Sequence, residues 1–202
     1  MYTDTKQSII NPVDNAIMSL MAEQDSHNHQ AFSGMIRDII THHDTGQVED
    51  TGWSHNTIVN SIDNLIACLL KSEAGYTGIS YWAIGSGSDS WDDVNPPSPS
   101  QSDVALVNEI GRLAIPSGAI TYLDDNGNIT ATKTNKLQID LTFGQNDCNG
   151  KWREFGIVGG NATISANSGI FINHKTHGLI VKTSTMSIER IMRFTFLSTT
   201  QA

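Results

Sequence analysis

Basic residues are scarce in this chain, and early ones are almost missing. Residues 1–100 hold 3 Lys+Arg against 13 Asp+Glu, whereas residues 101–202 hold 9 against 8. The first half is therefore net −10 and the second +1. Nucleic-acid binding needs a basic footprint, so no nucleic-acid partner is expected. Cysteine is nearly absent too. Cys68 and Cys148 are far apart and form no C-x-x-C pair, which removes the usual zinc and redox readings. No apolar run approaches the roughly 18 residues of a membrane-spanning helix. Met1-Tyr2-Thr3-Asp4 opens no basic-then-apolar leader, so folding in a cytoplasm without a membrane partner is expected.

Catalytic signatures are missing as well. Gly85-Ser86-Gly87-Ser88 lacks the Gly-Lys-Ser/Thr that completes a phosphate loop, and no Gly-x-Ser-x-Gly elbow exists. Asp124-Asp125-Asn126-Gly127-Asn128 aligns with a calcium loop only by placing Tyr122 first and Lys133 twelfth, so it reads as a turn. Six of the seven histidines fall as His27/His29, His42/His43 and His174/His177, without the i,i+4 spacing of a helical metal site. No enzyme activity, cofactor or metal is expected.

What is present is a chain of small polar residues. Hydrophobic residues make up 38% and charged residues 16% of 202, which suits strands and tight turns. Residues 1–75 nevertheless read as helical. Asn11 caps a helix with Pro12 at its first position, followed by Val13, Ile17, Leu20 and Met21. Phe32, Met35, Ile36, Ile39 and Ile40 suggest a second helix over about 30–41. The clearest runs over about 55–72, capped by Ser54, with Cys68 on its apolar face. Its Ile58, Ile62, Leu65, Ile66 and Leu69 form a wide apolar stripe, a candidate docking or oligomerisation face.

Residues 76–202 read as β-rich with one inserted helix over about 102–114. A strand over 79–84 leads into a Gly/Ser/Asp/Pro loop over 85–101, and loops this long are usually functional or partner-bound. Asp103 then caps the helix of Leu106, Ile110 and Leu113. A hairpin over 120–134 turns at Asp124–Asn128. Leu137, Ile139, Leu141 and Phe143 alternate strictly, as in a half-buried strand. An Asn149-Gly150 hairpin turn opens a strand over 152–158. Ile170–Ile172 and Leu179–Val181 flank a His/Lys turn. In the last strand, 187–197, Ile191 breaks the phase of Ile188, Met192, Phe194 and Phe196, which suggests a bulge. The expected fold class is α+β: a helical N-terminal part followed by an antiparallel, β-sandwich-like domain.

Five segments appear in a telling order. They are Ala83-Ile84-Gly85-Ser86-Gly87, then Pro96 to Pro99, then Asp103-x-x-Leu106-x-x-Glu109-x-x-Arg112. Asn149-Gly150-x-x-Arg153-Glu154-Phe155-Gly156-Ile157 follows, and a basic hairpin over 174–196 closes the set. Over residues 78–197 this pattern resembles a family of tailed-phage virion structural proteins. The resemblance implies a non-enzymatic component of a bacteriophage particle, of the tail, baseplate or fibre-attachment kind. Its partners would be other virion proteins and copies of itself in trimer- or hexamer-related symmetry. A capsid decoration protein is the alternative within the class.

Arg153 and Glu154 are neighbours on a strand and are expected on opposite faces. One of them should pair with a charge such as Glu109 or Arg112, or across a subunit boundary. A reading from another class is a carbohydrate-binding adhesin, with Trp82, Trp91, Asp92 and Asp93 as its glycan site.

Overall fold

The structure is a computed structural model, and it describes residues 32–196. Twelve strands, all paired antiparallel, one α-helix and a single 3-10 turn (Ser117–Ala119) make up the regular structure of the described residues. In chain order the strands and helix are β1 (Phe32–His42), β2 (Val48–Asp50), β3 (Ser54–Ile58), α1 (Ile62–Leu70), β4 (Thr77–Gly85) and β5 (Glu109–Ala114). Then come β6 (Ile120–Leu123), β7 (Ile129–Thr130), β8 (Lys136–Phe143), β9 (Gly150–Gly160), β10 (Ile170–Phe171), β11 (Asn173–Lys182) and β12 (Met186–Phe196).

The strand order is β5-β4-β9-β11-β3-β1-β12-β8-β6-β7, with β10 also on β9 and β2 also on β1. One junction is thin. β11 meets β3 at two residue pairs, Asn173 with Ile58 and His174 with Thr57. The half ending in β11 and the half beginning at β3 fold toward each other across one core. Trp82 of β4 packs edge-on against Phe143 of β8 at 6.3 Å, and Phe143 against Trp152 of β9 at 5.0 Å. All three side chains are fully buried. At about 1.5–3 kcal/mol for each large apolar side chain removed from water, this aromatic seam is a main source of cohesion between the halves. The arrangement is sandwich-like, as the alternating sequence pattern of residues 137–143 anticipates.

The α+β expectation fails over the described residues. Where a helix is expected over about 30–41, Phe32–His42 forms β1, paired with β12 along its whole length. Its burial alternates, with Gly34, Ile36, Asp38 and Ile40 inward. The helical spacing was deceptive because one inward position holds an acid, which breaks the apolar period of two. The helix expected over 55–72 is shortened to Ile62–Leu70, because Ser54–Ile58 pairs as β3. Thr57, Ile58 and Val59 are β-branched and prefer extended backbone. The helix expected around Asn11–Met21 lies outside the described residues.

The helix expected over 102–114 is also absent. Residues 109–114 are β5, paired with β4, and the register slips between Ile84/Gly111 and Gly85/Glu109. Ile110 is the extra residue of that bulge. In a regular strand Glu109 and Arg112 would face opposite ways, and the bulge puts them in phase. A spacing of three thus arises without a helix.

Smaller corrections follow the same logic. β12 keeps continuous register with both β1 and β8, so Ile191 is simply an outward residue and no bulge exists there. The bulge of this region is in β11, between Thr176 and Ile180. Hence 173–182 is one interrupted strand rather than two strands about a turn. Asn149-Gly150 does not close a hairpin, since β8 pairs with β12 and β9 with β4 and β11. The Asp124–Asn128 turn does join paired strands, β6 and β7.

Candidate functional site

The long loop over residues 86–108 lies along β9 and β11 and is pinned by buried charge. Glu154 of β9 is the centre of this arrangement. Its carboxylate is fully buried and accepts hydrogen bonds from the backbone N–H of Gly87 (3.1 Å), Val107 (3.0 Å) and Asn108 (2.9 Å). Its fourth partner is His174 Nε2 of β11, at 3.0 Å. The other ring nitrogen, Nδ1, lies 2.7 Å from Asp103, and Asp103 also accepts from Ser100 N–H. Glycine is required beside this carboxylate. A Cβ on Gly85 would lie 2.5 Å from Glu154 Oε1.

Burial alone would raise the Glu154 carboxyl, but its bonds to His174 and to the Asn108 and Val107 N–H groups outweigh burial and hold it below the usual range. His174 mirrors it. Burial favours the neutral ring, whereas the bonds and charges of Glu154 and Asp103 raise its pKa above the ordinary histidine value. Both shifts arise from one geometry, a buried imidazole with one ring nitrogen on each of two carboxylates.

Arg153, next in the chain, reaches the same loop. It pairs with Asp93 and donates to the Ser88 carbonyl at 3.3 Å. Adjacent strand residues normally diverge, but Trp152 and Phe155 both enter the core here. Strand alternation is broken between them, so Arg153 and Glu154 serve one loop rather than opposite faces. Further along, Thr176 Oγ1 donates to the Pro97 carbonyl, Leu179 N–H to the Asp93 carbonyl, and Asn60 N–H to the Gln101 carbonyl.

Glu109 and Arg112 pair with each other instead of with Arg153 or Glu154. Two bonds of 2.6 and 2.7 Å make a forked contact, and both side chains are almost fully buried. Arg112 also donates to the Thr163 and Ser168 carbonyls, while Glu109 accepts from Asn167 N–H. This pair therefore pins a second loop, residues 161–169.

The stripe read as a docking face is divided. Ile62 and Leu65 are buried against the sheet, Ile58 and Ile66 are half-buried, and Leu69 is 41% exposed. With Ile79, Leu137 and Phe194, the helical members line an apolar groove of about 220 Å³. The glycan reading loses its platform. Trp82 is fully buried and Trp91 packs on Gly87. Asp92 accepts from the Val94 and Asn95 N–H groups, and Asp93 is committed to Arg153. Among the described residues no group of three metal-binding side chains is arranged to hold an ion. His42 pairs with Glu49, and His43 with Ser187.

Other polar groups drawn into the interior also escaped the sequence reading, among them Arg190, Lys182 and the half-buried His177. Arg190 pairs with Asp38 inside the core. Lys182 donates to the Gly144 carbonyl and to Asn149 Oδ1. His177 lies behind the β11 bulge, its Nδ1 2.7 Å from the Gly178 carbonyl. Only Arg190 carried a usable signal, since it sits in phase with Ile188 and Met192.

The fold and these contacts define an antiparallel β protein whose long loops are fastened to the sheet by buried ion pairs. Comparison with protein-family models, with curated proteins and with solved structures finds no match.

Proposed function

We propose that this protein is a non-enzymatic structural component of a tailed bacteriophage particle, of the tail, baseplate or fibre-attachment kind. It works as a rigid body that docks on other virion proteins and on copies of itself. One observation supports the reading above the others. The sequence pieces of the resemblance, spread over some ninety residues, converge on the Glu154 carboxylate. Gly87, Val107 and Asn108 donate to it, and His174 of the closing basic segment completes it. Residues gathered for catalysis would converge on an open pocket with a free nucleophile or base. These converge on a carboxylate with no exposed surface, whose acceptor positions are filled by three backbone N–H groups and the His174 ring. Such a pattern preserves a loop conformation, which is what an assembly surface requires.

The test is mass spectrometry of purified particles from the source culture. The protein is expected at a copy number that is a multiple of three or six. Its absence from intact particles, with the protein abundant in the lysate, overturns the proposal. Density of the intact particle separates tail from head, and a head position selects the decoration alternative.

A further inference from the structure

The loop over residues 86–108 is fastened at both of its ends and along its length, but its fastenings differ in kind. Near residues 88–93 they are an arginine pair and a backbone bond, Arg153 with Asp93 and Leu179 N–H with the Asp93 carbonyl. Near residues 100–108 the charged fastening is the Asp103–His174–Glu154 stack, beside the Asn60 N–H bond to the Gln101 carbonyl and the Val107 and Asn108 N–H bonds to Glu154. Arginine keeps its charge at every relevant pH, and histidine does not.

We propose that residues 100–108 form a pH-released strap, closed while His174 carries two N–H groups between Glu154 and Asp103 and loosened when it keeps only one. The groups facing the imidazole are few. They are Glu154 from β9, Asp103 from the strap itself and the Phe171 ring from β10, whose centroid lies 5.6 Å away. Its cross-strand neighbour on β3 is Thr57, which does not titrate. The adjacent Lys175 sends its amine to the His55 carbonyl. No second cation replaces the imidazolium among these groups.

The geometry selects which end lets go. A neutral ring has one N–H and one lone pair, so one carboxylate faces a lone pair and its hydrogen bond is lost. Glu154 is fully buried and keeps the remaining N–H, because stranding a buried charge costs more than rehydrating an exposed one. Asp103 is 30% exposed and can take water instead. Release therefore begins at Asp103 and uncovers the small apolar cluster in which Leu106 packs on Val59, Ala83, Val158 and Phe171. The raised pKa of His174 places this release on the alkaline side of ordinary histidine titration.

Hydrogen exchange read by mass spectrometry tests it from about pH 5 to about pH 9, corrected for intrinsic rates. Peptides covering 100–108 are expected to exchange roughly tenfold faster above the His174 transition, while those covering 88–95 stay unchanged. In His174→Gln the step disappears. Asp103→Asn lies at a partly exposed position and tests the same point if the first variant does not fold. It is expected to leave 100–108 loose at every pH. Parallel behaviour of the two segments in the wild type overturns the proposal, as does a step that persists in either variant.

Discussion

Asp38 and Arg190 face each other directly across β1 and β12, and their side chains join in a forked ion pair inside the core. The two bonds are 2.7 and 2.5 Å, and Arg190 has no exposed surface. The guanidinium lies 3.9 Å from the centroid of the Phe155 ring and 5.2 Å from that of Trp152. It therefore reaches from one half of the sheet to the aromatics of the other. Such a pair adds little net stability over an apolar one, but it fixes pairing, because a slipped register would bury two lone charges. Asp38→Ala is expected to destabilise the fold by about 3–5 kcal/mol, since it leaves Arg190 buried without its counter-charge. The double change Asp38→Leu with Arg190→Met should recover most of that loss. Urea denaturation of the wild type, Asp38→Leu, Arg190→Met and the double variant reads the coupling directly. A near-additive result would mean that the pair is not acting as a unit.

That pair also explains why so much of the first half was misread. Inward positions 36, 38 and 40 would spell a strand if all three were apolar. With Asp38 in the middle, the remaining Met35, Ile36, Ile39 and Ile40 imitate a helix. The same happened at Glu109 and Arg112, where a bulge produced a helical interval. Strands whose inward residues were all apolar were legible, as Leu137 to Phe143 show. The site was legible by residue and not by contact. Arg112, Glu109, Arg153 and Glu154 were each singled out, but His174 was read only as a turn histidine. Nothing local in a sequence links His174 to Asp103, 71 positions away.

The Glu109–Arg112 fork makes a specific prediction for the loop over 161–169. Arg112 Nη1 bonds the Thr163 carbonyl at 2.8 Å and the Ser168 hydroxyl at 3.0 Å, so its loss frees the loop as well as stranding Glu109. Arg112→Ala should cost about 3–5 kcal/mol. Arg112→Lys keeps the charge but lacks the planar fork, and is expected to recover only part of it. Hydrogen exchange of residues 161–169 should rise in both variants. A loop as protected as in the wild type would show that other contacts hold it.

Gly87 and Trp91 are coupled through a steric contact. Gly87 has φ +64°, and a Cβ there would lie 2.3 Å from the Trp91 ring. Gly87→Ala thus meets two penalties, the left-handed backbone and the ring, and should lose more than about 1 kcal/mol. Trp91→Ala removes only the second. The double variant is expected to be more stable than the sum of the two single losses predicts. Additivity in thermal denaturation would mean that the ring moves aside at no cost.

His177 gives stability a dependence on pH opposite in origin to that of His174. Its pKa is pushed down to about 4, first by burial and then by the Arg190 charge. Nδ1 faces the Gly178 carbonyl, which fixes the proton on that nitrogen in the neutral ring, and the buried Nε2 has no partner. The unfolded chain therefore binds a proton near the ordinary value of about 6.5 while the folded chain resists it. Between these values the unfolded state holds more protons, so stability falls as pH drops from about 6.5 through about 4. The full span of that shift corresponds to about 3 kcal/mol. His174 acts the other way. Its raised folded pKa contributes stability that is complete below about 6.5 and is lost as pH rises through the folded value. Glu154 adds stability present above its unfolded pKa and lost as pH falls through its lowered folded one. His177→Phe places an apolar ring near Phe155, whose centroid is 5.9 Å from that of His177, and should flatten the loss between about pH 6.5 and about pH 4. His174→Gln should leave that slope in place and remove the alkaline one instead. If His177→Phe retains the full acid slope in urea titrations, the low-pH loss belongs to the carboxylates and not to this ring.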